Sequence, residues 1–395
     1  MTDNKTLQFI KEHRNENVRT LALKGERHPD IDIREAVTQI EGWQLAKEKL
    51  PHWAATDGIF YPVRLSLEQC SSEATAQYKA SLTNGDSLTD LTGGFGIDCS
   101  YMAKNFKQAT YIERNERLCR IARHNFSLLH LEHVKIINRE SEDIISELTP
   151  QDWIFIDPAR RDNSGKKVVA LSDCEPDVSK LHDILLRKSK KVMIKCSPML
   201  DITAACHELQ KIAEIHIVAV NNECKELLFI LSNDYTGETT THCINIQKES
   251  SEVFSYSDSK REHTILYSEK LGKFLYEPNV AIMKAGCYKE LANRFALTKL
   301  HPNSHLYTSE QMVEDFPGRI FEIEKYCNFS KKELKTTIGE TKQANLAIRN
   351  FPDSVETLRK RLKLSDGGNT YLFATTLANN KKILIKCKKP DRHKL

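Results

Sequence analysis

The stretch SLTDLTGGFGID, residues 87 to 98, decides how this chain folds. A short apolar run ends there at Asp90, and three glycines follow within four residues, at Gly93, Gly94 and Gly96. Because glycine lacks a Cβ atom, the backbone can turn sharply and leave bare N–H groups at the start of a helix. The stretch therefore predicts a strand, a tight turn and a helix, with a ligand bound against the turn.

Two further acidic residues follow apolar runs downstream of this turn. The run ATYIERN predicts a second strand that ends at Glu113, where doubly wound folds place the acid that binds a ribose. Asp143 follows a third apolar run, VKIINRESED. No Lys-Ser or Lys-Thr pair follows the glycines, which argues against a nucleotide triphosphatase. The pattern instead favours a cofactor that contains adenosine.

These segments resemble the first three cofactor motifs of class I S-adenosylmethionine-dependent methyltransferases, through DLTGGFGID, YIERN and SED. An oxidoreductase that uses a dinucleotide is the nearest alternative. It is disfavoured because its G-x-G-x-x-G fingerprint is not matched in register. A glycine turn in a sheet that binds no ligand is the other alternative. The resemblance implies that S-adenosylmethionine is bound by Asp90, Gly93, Gly94, Gly96, Glu113 and Asp143.

Strands and helices alternate from residue 87 onward, which indicates a parallel sheet with crossover helices. The link NNE between the last two strands is too short for a helix, so those strands must pair as an antiparallel hairpin. The predicted fold class is α/β, a seven-stranded Rossmann-like sheet of the class I methyltransferase type, with an N-terminal helical region and a C-terminal α+β module. The strands are predicted at SLTDL, ATYIE, VKIIN, DWIFID, KVMIKC, IAEIHIVAV and KELLFILS.

The segment before residue 87 is predicted to be mainly helical. Residues 4 to 50 carry apolar residues at spacings of three and four, which is typical of helices. The run GIFYPVRLSLEQ alternates and predicts a short strand, followed by a helix in SSEATAQYKASL. In methyltransferases that act on nucleic acids, this segment often contacts the methionine end of the cofactor. Gln69, Ser72 and Thr75 are candidates there, and a helix cap alone is the equally good interpretation of Ser72.

The C-terminal part resembles the ferredoxin-like and THUMP-like parts of a bacterial methyltransferase family, through FPGRIFEIEKYC, ANLAIRNFP and LKLSDGGNTYLFATTL. THUMP modules are associated with RNA modification, so the resemblance implies an RNA partner. We predict five segments. They are a helical N-terminal region (1–80), a methyltransferase domain (81–236), a connecting β-rich segment (237–277), a ferredoxin-like segment (278–321) and a THUMP-like RNA-binding domain (322–395).

Charge is distributed unevenly along the chain. The net charge of the 395 residues is only +4, yet residues 329 to 395 contain 16 Lys and Arg against 6 Asp and Glu. A basic folded module suits phosphate contacts with ribosomal or transfer RNA. No apolar run of 18 or more residues occurs, and residues 1 to 30 are too polar for a signal peptide, so we expect a cytoplasmic protein without a membrane partner. The eleven cysteines form no metal-binding pattern.

The chemistry is predicted to follow the fourth strand, where DWIFID continues into DPAR. The Asp157 carboxylate and the Pro158 carbonyl can accept both hydrogens of an exocyclic amine and direct its lone pair at the methyl group. The motif resembles the Asp-Pro-Pro-aromatic motif of methyltransferases that modify amino groups of bases. Ala159 replaces the second proline, and Arg160 replaces the aromatic residue, where a guanidinium can stack on a base. Asp157, Pro158 and Arg160 are the predicted catalytic residues.

Other chemistries remain open from the sequence. Asp-Pro-Ala-Arg also resembles the motif of C5-uracil methyltransferases, which would make Cys196 a nucleophile beside Lys195 at the end of the fifth strand. Lys195 is also a candidate for contact with a substrate phosphate, or for extending from the sheet into solvent. A non-catalytic RNA-binding or assembly protein that keeps a cofactor pocket, and methylation of a protein or small molecule, are further alternatives.

Overall fold

A computed structural model describes residues 3–23, 28–160, 170–257 and 264–391. The chain forms two compact units. The first unit comprises Met1–His216 and Lys225–Thr239, and the second comprises Ile217–Cys224 and Thr240–Leu395. Within the described ranges, no helix combines the length and the apolar composition that a membrane span requires.

Short helices form the part of the first unit that precedes its sheet. Four of them begin with a side-chain cap: Asp3 accepts a hydrogen bond from the Thr6 N–H at 3.0 Å, and Asn17, Asp32 and Ser72 cap the second, third and sixth helices in the same way. The helices are α1 (Asn4–His13), α2 (Val18–Leu23), α3 (Ile33–Lys49), α4 (Pro51–Ala55), α5 (Arg64–Gln69) and α6 (Glu73–Ser81).

The strand predicted in GIFYPVRLSLEQ is wrong. The second half of this run is helix α5, and the first half is extended but pairs with no strand. Its backbone is bonded by side chains instead. The Gln39 amide bonds both the N–H and the C=O of Tyr61, at 2.8 and 2.9 Å, and the Asn125 amide does the same for Phe60. The alternation of apolar and polar residues therefore predicts the extended backbone correctly. The backbone groups are bonded by side chains that are distant in the sequence, and not by a neighbouring strand.

The first unit is built on a sheet whose strands alternate with helices. The elements, in chain order, are β1 (Gly85–Asp90), α7 (Ile97–Met102), β2 (Phe106–Ile112), α8 (Glu116–Leu128), β3 (Val134–Ile137), α9 (Ser141–Ile144), β4 (Gln151–Ile156), β5 (Ala159–Arg160), β6 (Cys174–Glu175), α10 (Val178–Lys188), β7 (Ser189–Cys196), α11 (Ile202–Glu208), β8 (Ile212–Val220) and β9 (Glu223–Ser232). The short strands β5 and β6 pair with each other, outside the sheet.

Seven strands of this sheet are arranged in the order β3-β2-β1-β4-β7-β9-β8. β1 pairs in parallel with both β2 and β4, and β7 pairs in parallel with β4 but antiparallel with β9. β8 and β9 are joined by a tight turn at Asn221 and Asn222, which both have positive φ. The predicted sheet, with its one reversed strand, is confirmed. The chain moves outward from β1 to β3 and returns to β4, so β1 and β4 flank the switch point where doubly wound folds bind ligands.

The elements of the second unit are β10 (Thr240–Ile246), β11 (Ser251–Ser257), β12 (Phe274–Pro278), α12 (Val280–Ala285), α13 (Tyr288–Arg294), β13 (Thr298–Lys299), β14 (Tyr307–Ser309), β15 (Gly318–Asn328), α14 (Lys331–Ile338), β16 (Asn345–Arg349), α15 (Val355–Leu362), β17 (Tyr371–Thr376) and β18 (Lys382–Lys388). β10 and β11 pair with each other in the antiparallel direction, and the later strands form a seven-stranded sheet in the order β13-β14-β12-β15-β18-β17-β16.

The last strands of this unit form a hairpin against which two helices pack. β17 and β18 pair in the antiparallel direction. Leu334 of α14 and Leu358 of α15 pack with Leu384 of β18 in one core. Residues 280–294 form two helices and not one, because Gly286 ends α12 with a φ of 70° and α13 begins at Tyr288.

We expect Gln39→Ala to destabilise the first unit by about 2 kcal/mol, because it leaves two buried backbone groups of Tyr61 without partners. Gln44, on the same helix, is the matched control: its amide bonds the carbonyls of Arg14 and Glu16, but at a solvent-exposed position. Urea unfolding followed by circular dichroism measures both changes. Equal losses for the two variants would contradict the assignment.

Candidate active site

One cavity of about 1210 Å³ lies at the carboxyl ends of β1, β4 and β7 in the first unit. Its wall includes the glycine turn after β1, the segment after β4, and residues of α5 and α6. Gln69, Ser72 and Thr75 lie in this wall, as do Lys195 and Cys196. Seven of the nine predicted site residues also line it: Asp90, Gly93, Gly94, Gly96, Glu113, Asp157 and Pro158.

The other two predicted residues are placed differently. Asp143 is exposed and is not part of the cavity wall, where Ser141 and Glu142 lie instead. β3 ends at Ile137 and α9 begins at Ser141, so the helix directs Asp143 away from the cavity. The backbone of Arg160 forms β5, and its side chain lies outside the described residues.

The glycine turn requires glycine for two reasons. At Gly93 there is no room, because a Cβ atom would lie 2.2 Å from the ring of Tyr111. Gly94 and Gly96 have φ values of 55° and 89°, in the left-handed region that side chains rarely adopt. The Tyr111 hydroxyl also donates to the Gly94 carbonyl at 2.5 Å. These contacts hold the turn at a fixed distance above β2.

Two carboxylates lie on either side of this turn. Glu113 accepts hydrogen bonds from the N–H of Gly94 at 2.9 Å and from the N–H of Asn115 at 2.7 Å. Asp90 is 1% exposed and accepts from the Thr92 N–H at 3.0 Å. Burial raises the pKa of Asp90 well above its ordinary value, and the Thr92 N–H opposes that rise only in part. Glu113 is thus tied to the turn, while Asp90 lies beneath it in a dry environment.

The N-terminal helices support the turn from the outside. Phe95, between the second and third glycines, is 3% exposed and packs edge-on against Trp53 of α4, with ring centroids 5.0 Å apart. Tyr61 lies beside the same ring. Ser72 caps α6 by accepting the Thr75 N–H at 3.3 Å, so its role as a helix cap is observed in the wall of the cavity itself.

The segment after β4 brings Asp157 to the cavity opposite the glycine turn. The Asp157 N–H donates to the Thr92 hydroxyl at 2.7 Å, which couples the two turns. Oδ2 of the Asp157 carboxylate lies 2.5 Å from Nζ of Lys195 at the end of β7. Lys195 also lies 3.7 Å from Asp98. Its ammonium is therefore surrounded by carboxylates, and neither the proposed phosphate contact nor extension into solvent fits this position.

A buried group of charges that the sequence analysis missed lies behind Lys195. Lys79 of α6 is fully buried, with Glu226 at 2.6 Å and Asp98 at 3.2 Å. Ser71 donates to the second oxygen of Asp98 at 2.7 Å. Burial would raise the pKa of Asp98, but the charges of Lys79 and Lys195 lower it. Asp98 belongs to the conspicuous glycine stretch, whereas no signal in the sequence relates Lys79 to Glu226, which lies 147 positions away.

The cysteine alternative is disfavoured by the environment of Cys196. Its side chain is buried, and burial raises the pKa of the thiol well above its ordinary value, with the charge of Asp157 adding to the rise. Lys195, which was considered as a partner for a thiolate, is paired with Asp157 instead. The charge of Lys195 opposes this rise in the Cys196 pKa only in part, so the arrangement favours the thiol over the thiolate.

Comparisons with known proteins agree with this geometry. A crystal structure of a proposed methyltransferase from Porphyromonas gingivalis W83 is 36% identical, covers 99% of this chain and 100% of its own, and superposes with a TM-score of 0.89. The chain belongs to the same methyltransferase family. Within the present chain, residues 274–317 match a ferredoxin-like domain and residues 318–389 match a THUMP domain-like family.

A curated relative indicates the cofactor of the methyltransferase. An uncharacterized S-adenosylmethionine-dependent methyltransferase from Mycobacterium tuberculosis (strain H37Rv) is 22% identical over 76% of this chain and 80% of its own length. The chain is an S-adenosylmethionine-dependent methyltransferase, and its predicted fold class, enzyme class and cofactor are confirmed. The division into five segments stays a prediction.

We expect Gly93→Ala to reduce the affinity for S-adenosylmethionine at least tenfold, because the new methyl group displaces either the Tyr111 ring or the turn. Gly94→Ala is the matched control at the adjacent position. Its Cβ atom meets only a backbone oxygen at 3.8 Å, so it adds backbone strain of about 1 kcal/mol without a clash. Calorimetric titration measures both affinities. A larger loss for Gly94→Ala would contradict the steric argument.

Proposed function

We propose that this enzyme transfers the methyl group of S-adenosylmethionine to an exocyclic amine of a base in structured ribosomal or transfer RNA, in the cytoplasm. The observation that carries the proposal is the position of the Asp157 carboxylate and Pro158 in the same cavity wall as the glycine turn. That arrangement offers two oxygen acceptors to the two hydrogens of an amine, next to a site for the cofactor.

We assign the cofactor contacts as follows. The N–H groups of the turn at Gly93, Gly94 and Gly96 suit the carboxylate of the methionine part, because bare N–H groups bind anions. Glu113 directly follows β2 and suits the ribose hydroxyls, as the position of the acid in doubly wound folds implies. Its hydrogen bond from Gly94 places both contacts on one rigid unit. For the adenine, Ser141 and Glu142 replace Asp143 in our assignment, because they line the cavity.

Positioning supplies most of the catalysis in this proposal. Bound S-adenosylmethionine supplies a methyl group that is already activated by the positive sulfur. Asp157 and the Pro158 carbonyl then need only to hold the amine so that its lone pair faces that methyl group. As the new bond forms, the amine loses a proton, for which the Asp157 carboxylate is the nearest acceptor. A strong base is unnecessary.

The second unit supports an RNA partner through its charge. Eleven basic residues between positions 331 and 389 are exposed, and two of them lie over aromatic rings: Arg361 over Phe329 at 5.6 Å and Lys389 over Phe321 at 5.1 Å. Cations combined with aromatic rings suit phosphates and bases. The eleven residues are Lys331, Lys332, Lys335, Lys342, Lys360, Arg361, Lys363, Lys381, Lys382, Lys388 and Lys389.

Transfer of tritium from labelled S-adenosylmethionine to total RNA tests the activity. We expect labelled RNA with the wild type and a loss of at least a hundredfold with Asp157→Ala, because one of the two amine acceptors is removed. Nucleoside digestion of the product identifies the methylated atom. A label at C5 of a pyrimidine, or on protein instead of RNA, would overturn the proposal. No transfer to any acceptor would favour the non-catalytic RNA-binding alternative.

Salt dependence tests the RNA-binding role of the second unit. We expect the pair Lys331→Glu and Lys332→Glu to weaken RNA binding and to reduce the slope of log affinity against log salt by about 2, one for each lost phosphate contact. The pair Lys104→Glu and Lys135→Glu changes the net charge equally on the first unit and is the control. Filter binding from 50 to 200 mM salt, roughly the range where such slopes are read, provides the data. Equal effects of both pairs of substitutions would indicate that RNA is attracted by the net charge of the protein and not by a defined surface of the second unit.

A further inference from the structure

Lys195 occupies an unusual position for a lysine. It ends β7, its side chain is only 11% exposed, and its ammonium lies 2.5 Å from Asp157 and 3.7 Å from Asp98. Burial alone would lower the pKa of Lys195, but the charges of Asp157, Asp98 and Glu226 raise it above its ordinary value. The side chain is therefore a fixed cation directly beneath the carboxylate that faces the acceptor.

The position of this cation is fixed by a second ring of charges. Asp98, the other partner of Lys195, is bonded by Lys79 and by the Ser71 hydroxyl, and Lys79 is anchored in turn by Glu226. These groups come from α6, α7 and β9, and removing any one leaves a buried charge without its partner. Such a network has little freedom to rearrange. It therefore fixes the position of the Asp157 carboxylate relative to the sheet.

The Asp157 carboxylate is bound through one oxygen only. Lys195 donates to Oδ2, and among residues 3–23, 28–159, 170–257 and 264–391 no group donates to Oδ1. The side chain is 35% exposed and lies in the cavity wall. One oxygen is thus held from below, and the other is available as a hydrogen-bond acceptor for a ligand.

The charges that line the cavity also select between acceptors according to the sign of the acceptor's charge. Nine carboxylates and five basic side chains line the cavity. An anionic acceptor such as a carboxylate or phosphate would be repelled at Asp157, whereas an N–H donor would be bound. The carboxylates are Glu68, Asp90, Asp98, Glu113, Glu140, Glu142, Asp157, Glu175 and Glu226, and the basic residues are Lys49, Arg114, Arg139, Lys195 and Lys225.

We infer that Lys195 is a positioning residue that holds Asp157 by Oδ2 and so presents Oδ1 to the acceptor, which favours a hydrogen-bond donor such as an amine over an anionic acceptor. The inference rests on the proposed function in taking Asp157 as the residue that faces the acceptor. It adds the residue that orients Asp157 and the chemical class that this orientation selects.

Two cofactor analogues test this inference without any knowledge of the acceptor. S-adenosylhomocysteine lacks the methyl group, whereas sinefungin carries an amine on the carbon that replaces the sulfur, at the place of that methyl group. The ratio of their affinities therefore reports an amine contact at the transfer point. We expect the wild type to bind sinefungin tighter by about tenfold, the strength of one hydrogen bond to a charged group. Calorimetric titration gives both affinities.

The variants distinguish positioning from a merely structural role. We expect Lys195→Met and Asp157→Asn to bring the affinity ratio close to one while the affinity for S-adenosylhomocysteine stays nearly constant, and Lys195→Arg to restore part of the ratio. Lys190→Met is the matched control, because it removes an exposed lysine of the same strand that pairs with Asp152. Asp98→Asn, which keeps Lys195 but removes its second partner, is expected to lower the ratio partly, and it serves where Lys195→Met fails to fold.

Three results would overturn the inference. One is a sinefungin preference that survives Lys195→Met. Another is an equal loss of both affinities in that variant, which would give Lys195 only a structural role. The third is the absence of a preference in the wild type. Failure of the proposed function gives a different result. In that case the wild type prefers sinefungin and Lys195→Met abolishes the preference, but no methyl group is transferred to RNA. This result would support the positioning role of Lys195 and assign the amine to another class of acceptor.

Discussion

The contact between the glycine turn and the second strand is the constraint on which the site depends. At Gly93 the backbone lies so close to the Tyr111 ring that a methyl group cannot be added. At the next residue, Gly94, the N–H donates to Glu113 and the carbonyl accepts from the Tyr111 hydroxyl. The turn is therefore fixed to β2 before any ligand binds. Because β1 and β4 are adjacent, the Thr92 hydroxyl extends the same frame to Asp157.

A second constraint is electrostatic, and it acts from beneath the cavity. Burying several charges is costly unless each finds a partner, and in this chain Lys79 and Lys195 alternate with Glu226, Asp98 and Asp157. Such networks are poor sources of stability compared with apolar packing, because desolvation offsets most of the attraction. A network of this kind directly under the transfer site is better explained by the orientation that it imposes on Asp157 than by the stability that it adds.

The sequence predicts the parts of the site that are local in the chain. The glycine turn, Glu113 and the Asp157–Pro158 segment are each recognisable within a few residues, and the alternation of strands and helices gives the sheet. Contacts between segments that are distant in the sequence cannot be predicted from such local patterns. The bonds from Gln39 and Asn125 to the extended segment before α5, and the pairing of Lys79 with Glu226, depend on how the chain folds back on itself. Asp143 lies outside the cavity wall for a local reason, because α9 directs it away while its neighbours Ser141 and Glu142 line the cavity.

The departure of Asp-Pro-Ala-Arg from the amine-methylating motif has a structural counterpart in Lys195. Where the related motif uses an aromatic residue to hold the acceptor base, this chain has Arg160, and the carboxylate of Asp157 is oriented from the end of β7. Orientation from the neighbouring strand makes the carboxylate independent of the residues that follow Pro158. In the proposed function, the charge and direction of the Asp157 carboxylate are therefore set by the sheet, through Lys195, and not by Ala159 or Arg160.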